Sequence, residues 1–267
     1  MIKEKKTKSL IYIPLLIVCL IAVFLFDKIL PTTTFVEKSI KDIIKYALFI
    51  FITFLSLWYF CLTPFIKKKR LSLKSTLMIL PCLLVCLLNP PIFGLILTPN
   101  PLSYQGIELT VNILLFFITC LLTAVLEETI FRYVIFDFIL EGKHSSKKDV
   151  FLSIILSSLI FGLFHILNAF SGFSFAIILQ VIYSFLLGCM CAFALYITSN
   201  VIYSIVLHTI FNFSGTLLIA LGTPFNWVTL PIIIFIAVIG ISVSIYIIYM
   251  LIKHYDLYKT QNKEKDN

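Results

Sequence analysis

Apolar runs as long as a bilayer is thick recur from one end of this chain to the other, and only short polar stretches separate them. A window of about 19 residues finds eight, near residues 10 to 26, 46 to 66, 76 to 98, 109 to 140, 150 to 169, 174 to 197, 201 to 221 and 229 to 252. A helix needs about 20 apolar residues to cross roughly 30 Å of hydrocarbon. Backbone amides have no partner in lipid, so spanning segments must satisfy them internally. The predicted fold class is therefore all-α, a polytopic membrane bundle of about eight transmembrane helices. Composition agrees: 60% of the residues are hydrophobic and 13% charged, against roughly 45–50% and about 25% in a soluble domain. The fourth run is too long for the hydrocarbon, so part of it is predicted to enter the cytoplasmic interface or to pack inside the protein. Pro81 and the "NPP" of residues 89 to 91 are predicted to kink or break the third run.

Charge orients the bundle. With the N-terminus inside, sixteen of the 21 basic residues fall on the inner side, in clusters at Lys3 to Lys8, Lys67 to Lys74, Lys143 to Lys148 and Lys253 to Lys265. Four fall outside, Lys28, Lys38, Lys41 and Lys45, and Arg132 is left within a span. This asymmetry predicts both termini in the cytoplasm. The basic, then apolar, start resembles a secretory signal, but its core is longer than a signal's and "FLFDK" has no small-residue cleavage site, so an uncleaved first helix is expected. The net charge of +8 is spread in short clusters beside apolar spans, where it meets anionic lipid. Nucleic-acid binding is excluded on the same ground. Seven cysteines, Cys19, Cys61, Cys82, Cys86, Cys120, Cys189 and Cys191, lie within apolar segments with no CxxC, and read as small buried hydrophobes rather than disulfides. There is no internal repeat, low-complexity tract or soluble domain.

Polar groups at membrane depth usually face a protein interior or a water-filled cavity. Three local patterns place them there: "EETIFR" (Glu127, Glu128, Arg132), "FGLFH" (Phe161, His165) and "HTIFN" (His208, Asn212). Glu128 and Arg132 are four apart, about 40° around a helix, and can neutralise each other. Glu127 points about 100° away from Glu128, so it must find a partner on another helix or stay protonated. Phe161 lies one turn before His165, where it can wall the imidazole's pocket. Counted from the loop that joins their spans, Glu127 and His165 stand at similar heights, about 20 and 22 Å. His208 and Asn212 enter from the turn "TSN" somewhat lower, within side-chain reach. A carboxylate, two imidazoles and an amide are thus predicted to converge in one buried polar site. The bland readings are a structural Glu128–Arg132 clamp and histidines serving as interhelical hydrogen-bond partners. His144 and His254 lie in polar, basic surroundings and read as solvated.

In this order, on three separate late spans, the motifs resemble the signature of the CAAX-prenyl-protease and bacteriocin-processing family of intramembrane proteases, also called the Abi family. The likeness covers roughly residues 115 to 222. It implies an eight-helix bundle that hydrolyses peptide bonds in a water-filled cavity, with Glu127 and His165 activating water and His208 and Asn212 stabilising the oxyanion. Glu128, Arg132 and Phe161 would support them. The chain then divides into N-terminal transmembrane helices (1–108), a protease core (109–222) and a last helix with a basic tail (223–267). The chemistry is consistent with this: amide hydrolysis needs a base for water, an acid for the leaving amine and donors for the oxyanion. Ser204 and Ser214 are the nearest alternative nucleophiles, but no motif fixes them near a histidine.

The family is traditionally classed as metalloproteases. Glu127, His165 and His208 would be the ligands if zinc is used, with the fourth position left for water. There is no HExxH, and a Glu/His pair needs no ion, so no obligatory cofactor is expected. The expected partners are the lipid bilayer and a peptide or membrane-associated protein, such as a short precursor, a lipidated C-terminus or an unwound membrane segment. The competing readings are a non-proteolytic protein of the same fold, acting in bacteriocin immunity or as a scaffold, and a proton-coupled transporter, which matched repeats would have favoured. Richness in Lys and Ile with only nine Gly suggests a low-GC genome, and a bacterial plasma membrane is the expected location.

Overall fold

The computed structural model describes residues 32–60, 73–88, 104–140, 146–222 and 230–266, with part of 12–26. The basic clusters at Lys3 to Lys8 and Lys67 to Arg70, the NPP stretch, Cys61, Lys143, His144 and the side chain of His254 lie outside them. Every element among the described residues is helical: α1 (Phe35–Tyr59), α2 (Leu73–Leu77), α3 (Leu80–Leu87), α4 (Gly106–Glu128), a π-helical segment (Thr129–Phe136), α5 (Asp137–Leu140), α6 (Lys147–Phe164), a 3-10 segment (His165–Ser171), α7 (Phe175–Thr198), α8 (Val201–Ala220) and α9 (Leu230–Asp266). Among the described residues, five stretches are long and apolar enough to cross a membrane: Gly106–Leu140, Lys147–Phe170, Phe175–Thr198, Val201–Leu218 and Leu230–Lys253. These are the fourth to eighth of the apolar runs, and the protein is an all-helical membrane protein.

The N-terminal runs depart from the sequence reading. α1 starts at Phe35 rather than near residue 46, because Thr34 and Glu37 form a capping box that nucleates the helix in a polar stretch. Lys38, Lys41 and Lys45, assigned above to an outer loop, are helical. Lys45 is buried, with its ammonium 2.8 Å from Asp42 and over the ring of Tyr46. The third run breaks at Met78–Ile79, and Pro81 opens α3 where its missing N–H costs nothing.

The late helices are placed by caps and by small residues. Ser146 accepts from the Asp149 amide and starts α6. Between α7 and α8 the chain reverses at Ser199, whose φ of 53° is left-handed, and the Asn200 side chain accepts from the Ile202 amide to begin α8. Glycine lets α6 and α7 approach: a Cβ on Gly188 would come within 2.9 Å of Ser158, and one on Gly162 within 2.9 Å of the Val181 carbonyl. α8 packs on α4, α7 and α3, while α1 flanks α4 and α9 flanks α7. The excess length of the fourth run is accommodated inside the protein, since seven of the eight π-helical residues are buried. The six described cysteines are free, and all but the half-buried Cys19 are buried.

Candidate active site

The site begins where α4 changes winding. Directly after Glu127 and Glu128 the backbone becomes π-helical through Thr129–Phe136, a form that occurs mostly as local bulges and often at functional sites. Glu128 and Arg132 remain on one side of it, both fully buried, with Nε 3.0 Å from Oε2. The contact lies off the hydrogen-bond axis, and the two Nη atoms find no acceptor among the described residues. The guanidinium is held instead by charge and by the face of Phe161, whose centroid lies 4.8 Å from Cζ.

Glu128 is not Arg132's alone, which corrects the reading of an isolated clamp. Its other oxygen, Oε1, accepts from Nδ1 of His208 at 2.8 Å. Across the same ring, Nε2 of His208 stands 3.6 Å from Oε2 of Glu127. The partner of Glu127 on another helix is therefore His208 of α8, while the hydrogen-bond partner of His165 is the Phe161 carbonyl. The reason is the 100° step between neighbouring residues: it sends Glu128 into the dry interior and leaves Glu127 at a cavity wall, on opposite edges of one imidazole. The result is a continuous chain of charge-capable groups, Arg132–Glu128–His208–Glu127.

His165 ends α6 where the helix tightens into the 3-10 segment. Its Nδ1 lies 3.0 Å from the Phe161 carbonyl. A carbonyl only accepts, so Nδ1 carries the proton and Nε2 of the neutral ring holds the free lone pair. The Phe161 ring meets His165 and His208 edge-on, with centroids 5.1 and 5.6 Å apart. One phenylalanine thus walls both imidazoles and the guanidinium.

Glu127, His165, His208 and Asn212 all line a single cavity of about 370 Å3, so the three motifs do meet. Glu128 and Arg132 lie behind its wall. Sequence reasoning missed several polar residues of the lining, among them Tyr46, Asn168, Gln180 and Tyr183. Asn168 donates to Gln180 at 2.8 Å. Gln180, an amide within "AIILQVIY", was legible as an oddity, but it belongs to no spaced pattern. Ser204 and Ser214 do not line the cavity: each donates to a backbone carbonyl, of Cys191 and Cys86 respectively.

The donor set does not gather around a metal as it stands. Among the described residues no group of three His, Cys, Asp or Glu is arranged to hold one. Both Nδ1 atoms are engaged, by Glu128 and by the Phe161 carbonyl.

Comparison with known proteins bears on the same segment. No curated protein and no solved structure matches the chain. A family model described as Type II CAAX prenyl endopeptidase Rce1-like matches residues 109–214, which contain all three motifs and every site residue named above except Tyr46. Through that segment the chain is similar to the Rce1-like type II CAAX prenyl endopeptidases.

Proposed function

We propose that the protein is an intramembrane endopeptidase that hydrolyses a peptide bond with water activated by Glu127 and His165. The observation that carries this reading is the shared cavity: one carboxylate, two imidazoles and an amide face a common space in the interior of a helix bundle. Water held between Glu127 and the free Nε2 of His165 attacks the carbonyl carbon and gives up its proton to one of them. The carbonyl oxygen becomes an oxyanion, which takes hydrogen bonds from Nε2–H of His208 and the amide N–H of Asn212. The proton then passes to the leaving nitrogen, the C–N bond breaks, and a carboxylic acid and an amine depart.

Donation from Nε2 requires His208 to carry both ring protons, since Nδ1 already donates to Glu128. Counting Glu127 and Glu128 as negative and Arg132 and His208 as positive, the assembly is neutral, which offsets the cost of burying Glu128, Arg132 and His208 while Glu127 faces the cavity. No step is routed through a metal. The substrate is a peptide precursor or membrane-associated protein whose scissile bond reaches the cavity. The setting proposed is a bacterial plasma membrane crossed about eight times, with both termini cytoplasmic.

The test is cleavage of a panel of precursor peptides by purified protein in detergent, comparing wild type with Glu127→Ala and His165→Ala, with and without a strong chelator. Loss of cleavage in both variants supports the peptidase. Insensitivity to the chelator supports free water as the nucleophile, and a chelator-sensitive wild type restored by zinc would overturn that part. A wild type that cleaves nothing, while both variants still complement a deletion in cells, sinks the peptidase reading in favour of an immunity or scaffold role.

A further inference from the structure

Bringing an extended peptide into the interior of a helix bundle strips water from the backbone on both sides of the scissile bond, and each stripped N–H and C=O then needs a partner. The proposed catalytic groups serve the scissile bond alone. Two side-chain amides of the same cavity wall, Asn168 and Gln180, have no part in that scheme. Asn168 donates from Nδ2 to Oε1 of Gln180 at 2.8 Å, and this bond ties the 3-10 segment to α7. One bond completes a structural bridge. It leaves Oδ1 of Asn168 as an acceptor and Nε2 of Gln180 as a donor, and neither amide has another partner among the described residues.

Local winding puts Asn168 in place. Residues three apart eclipse in a 3-10 helix, which rises about 2.0 Å per residue, so Asn168 stands directly beyond His165, about 6 Å along the axis. Had the α-helix continued, the same residue would be turned about 60° aside. On α7, Gln180 heads a stripe of the cavity wall that continues through Tyr183, Ser184 and Leu187. In an extended chain the N–H and C=O of one residue point to the same side, which is how paired antiparallel strands exchange two bonds. The amide pair offers the matching acceptor and donor. We propose that Asn168 and Gln180 bind the main chain of the substrate, with Oδ1 of Asn168 accepting the N–H of one residue and Nε2 of Gln180 donating to its C=O. At about 3.3 Å per extended residue, that residue lies about two positions from the scissile bond. This rests on the peptidase reading above and adds what that reading leaves open: the peptide is held extended, and at this position it is recognised by its backbone whatever its side chain.

The experiment uses full-length protein purified in detergent and one peptide that the wild type cleaves, remade with an ester in place of the amide at one residue at a time on either side of the scissile bond. An ester has no N–H to donate. Products are read by mass spectrometry to give kcat and KM. The wild type is expected to lose about tenfold in kcat/KM for the ester at one position, about two residues from the scissile bond, and much less at the neighbouring positions. Asn168→Leu is expected to raise KM about tenfold on the all-amide peptide with kcat near that of the wild type, because a contact made equally in the ground and transition states moves KM alone. The same variant cleaves the all-amide peptide and the sensitive ester peptide alike, the mark of a lost partner. Gln180→Leu raises KM in the same way. The proposal is overturned if the wild type shows no position-specific ester penalty. It is also overturned if Asn168→Leu, or Gln180→Leu where the first does not fold, keeps the full wild-type penalty. Where neither variant accumulates, the wild-type scan alone decides. A wild type that cleaves no peptide at all overturns the peptidase reading and this proposal with it, an outcome distinct from the others.

Discussion

The two edges of His208 are built on opposite principles. On the Nδ1 side everything is dry: Glu128 and Arg132 have no exposed side-chain surface, and they are held by charge, by one hydrogen bond to the ring and by the face of Phe161. On the Nε2 side Glu127 keeps 16% of its side-chain surface and stands 3.6 Å away, with a cavity before it. Two chemically identical residues, adjacent in the chain, thus occupy opposite settings, one dry and one at a cavity wall, which under the proposed function separate stability from reactivity. The helical step between them is what divides the roles.

The comparison breaks most visibly on the dry side. Arg132→Met leaves Glu128 buried without its counter-charge, and the expected loss is about 3–5 kcal/mol, read as a large fall in thermal unfolding midpoint in detergent or as failure to accumulate. Glu128→Gln strands Arg132 in the same way. The double variant Arg132→Met/Glu128→Gln is expected to be less damaged than the sum of the two, the signature of coupled partners. Additive losses would show that the pair does not act as a unit.

On the cavity side the effect moves from stability to rate. Glu127→Gln is expected to unfold near the wild-type temperature while cleavage falls by about 10²–10⁴-fold. Equal damage to folding from Glu127→Gln and Glu128→Gln would erase the distinction between the two edges. Phe161 belongs to both. Phe161→Leu removes its ring contacts with Arg132 and the two imidazoles, at an expected cost of about 1–3 kcal/mol and with a moderate loss of activity.

The smallest effect lies far from the site and serves as a control. Thr34→Ala removes the cap of α1, at about 1 kcal/mol, and leaves cleavage unchanged. The Glu37 carboxyl of the same box is held below the usual carboxylate range by the Thr33 amide first, then by the Thr33 hydroxyl and the Thr34 amide. A carboxyl lowered in the folded state stabilises above its unfolded value, and that contribution disappears as pH falls through the folded one. The stability difference between wild type and Glu37→Gln is therefore expected at pH 7 and should shrink below about pH 4. A difference that persists unchanged at pH 2 would refute the assignment.

Legibility in the sequence was uneven for physical reasons. The late spans were readable because hydrocarbon demands long apolar helices, and the three motifs stood out because ionisable groups at that depth are costly. The start of α1 was misplaced because a capping box in a polar stretch gives no hydropathy signal. Gln180 and Tyr46 escaped because single polar residues carry no spacing.

What the sequence by itself determined is the helical membrane fold, the polar motif residues that gather at one cavity and, through the helical step, that Glu128 and Arg132 share a face while Glu127 does not. Only the tertiary structure decided which imidazole each glutamate meets. That choice depends on how closely the glycines let α6 approach α7, on the winding change after Glu128 and on the height at which the Ser199 turn starts α8. These are relations between helices, and no periodicity within one helix encodes them.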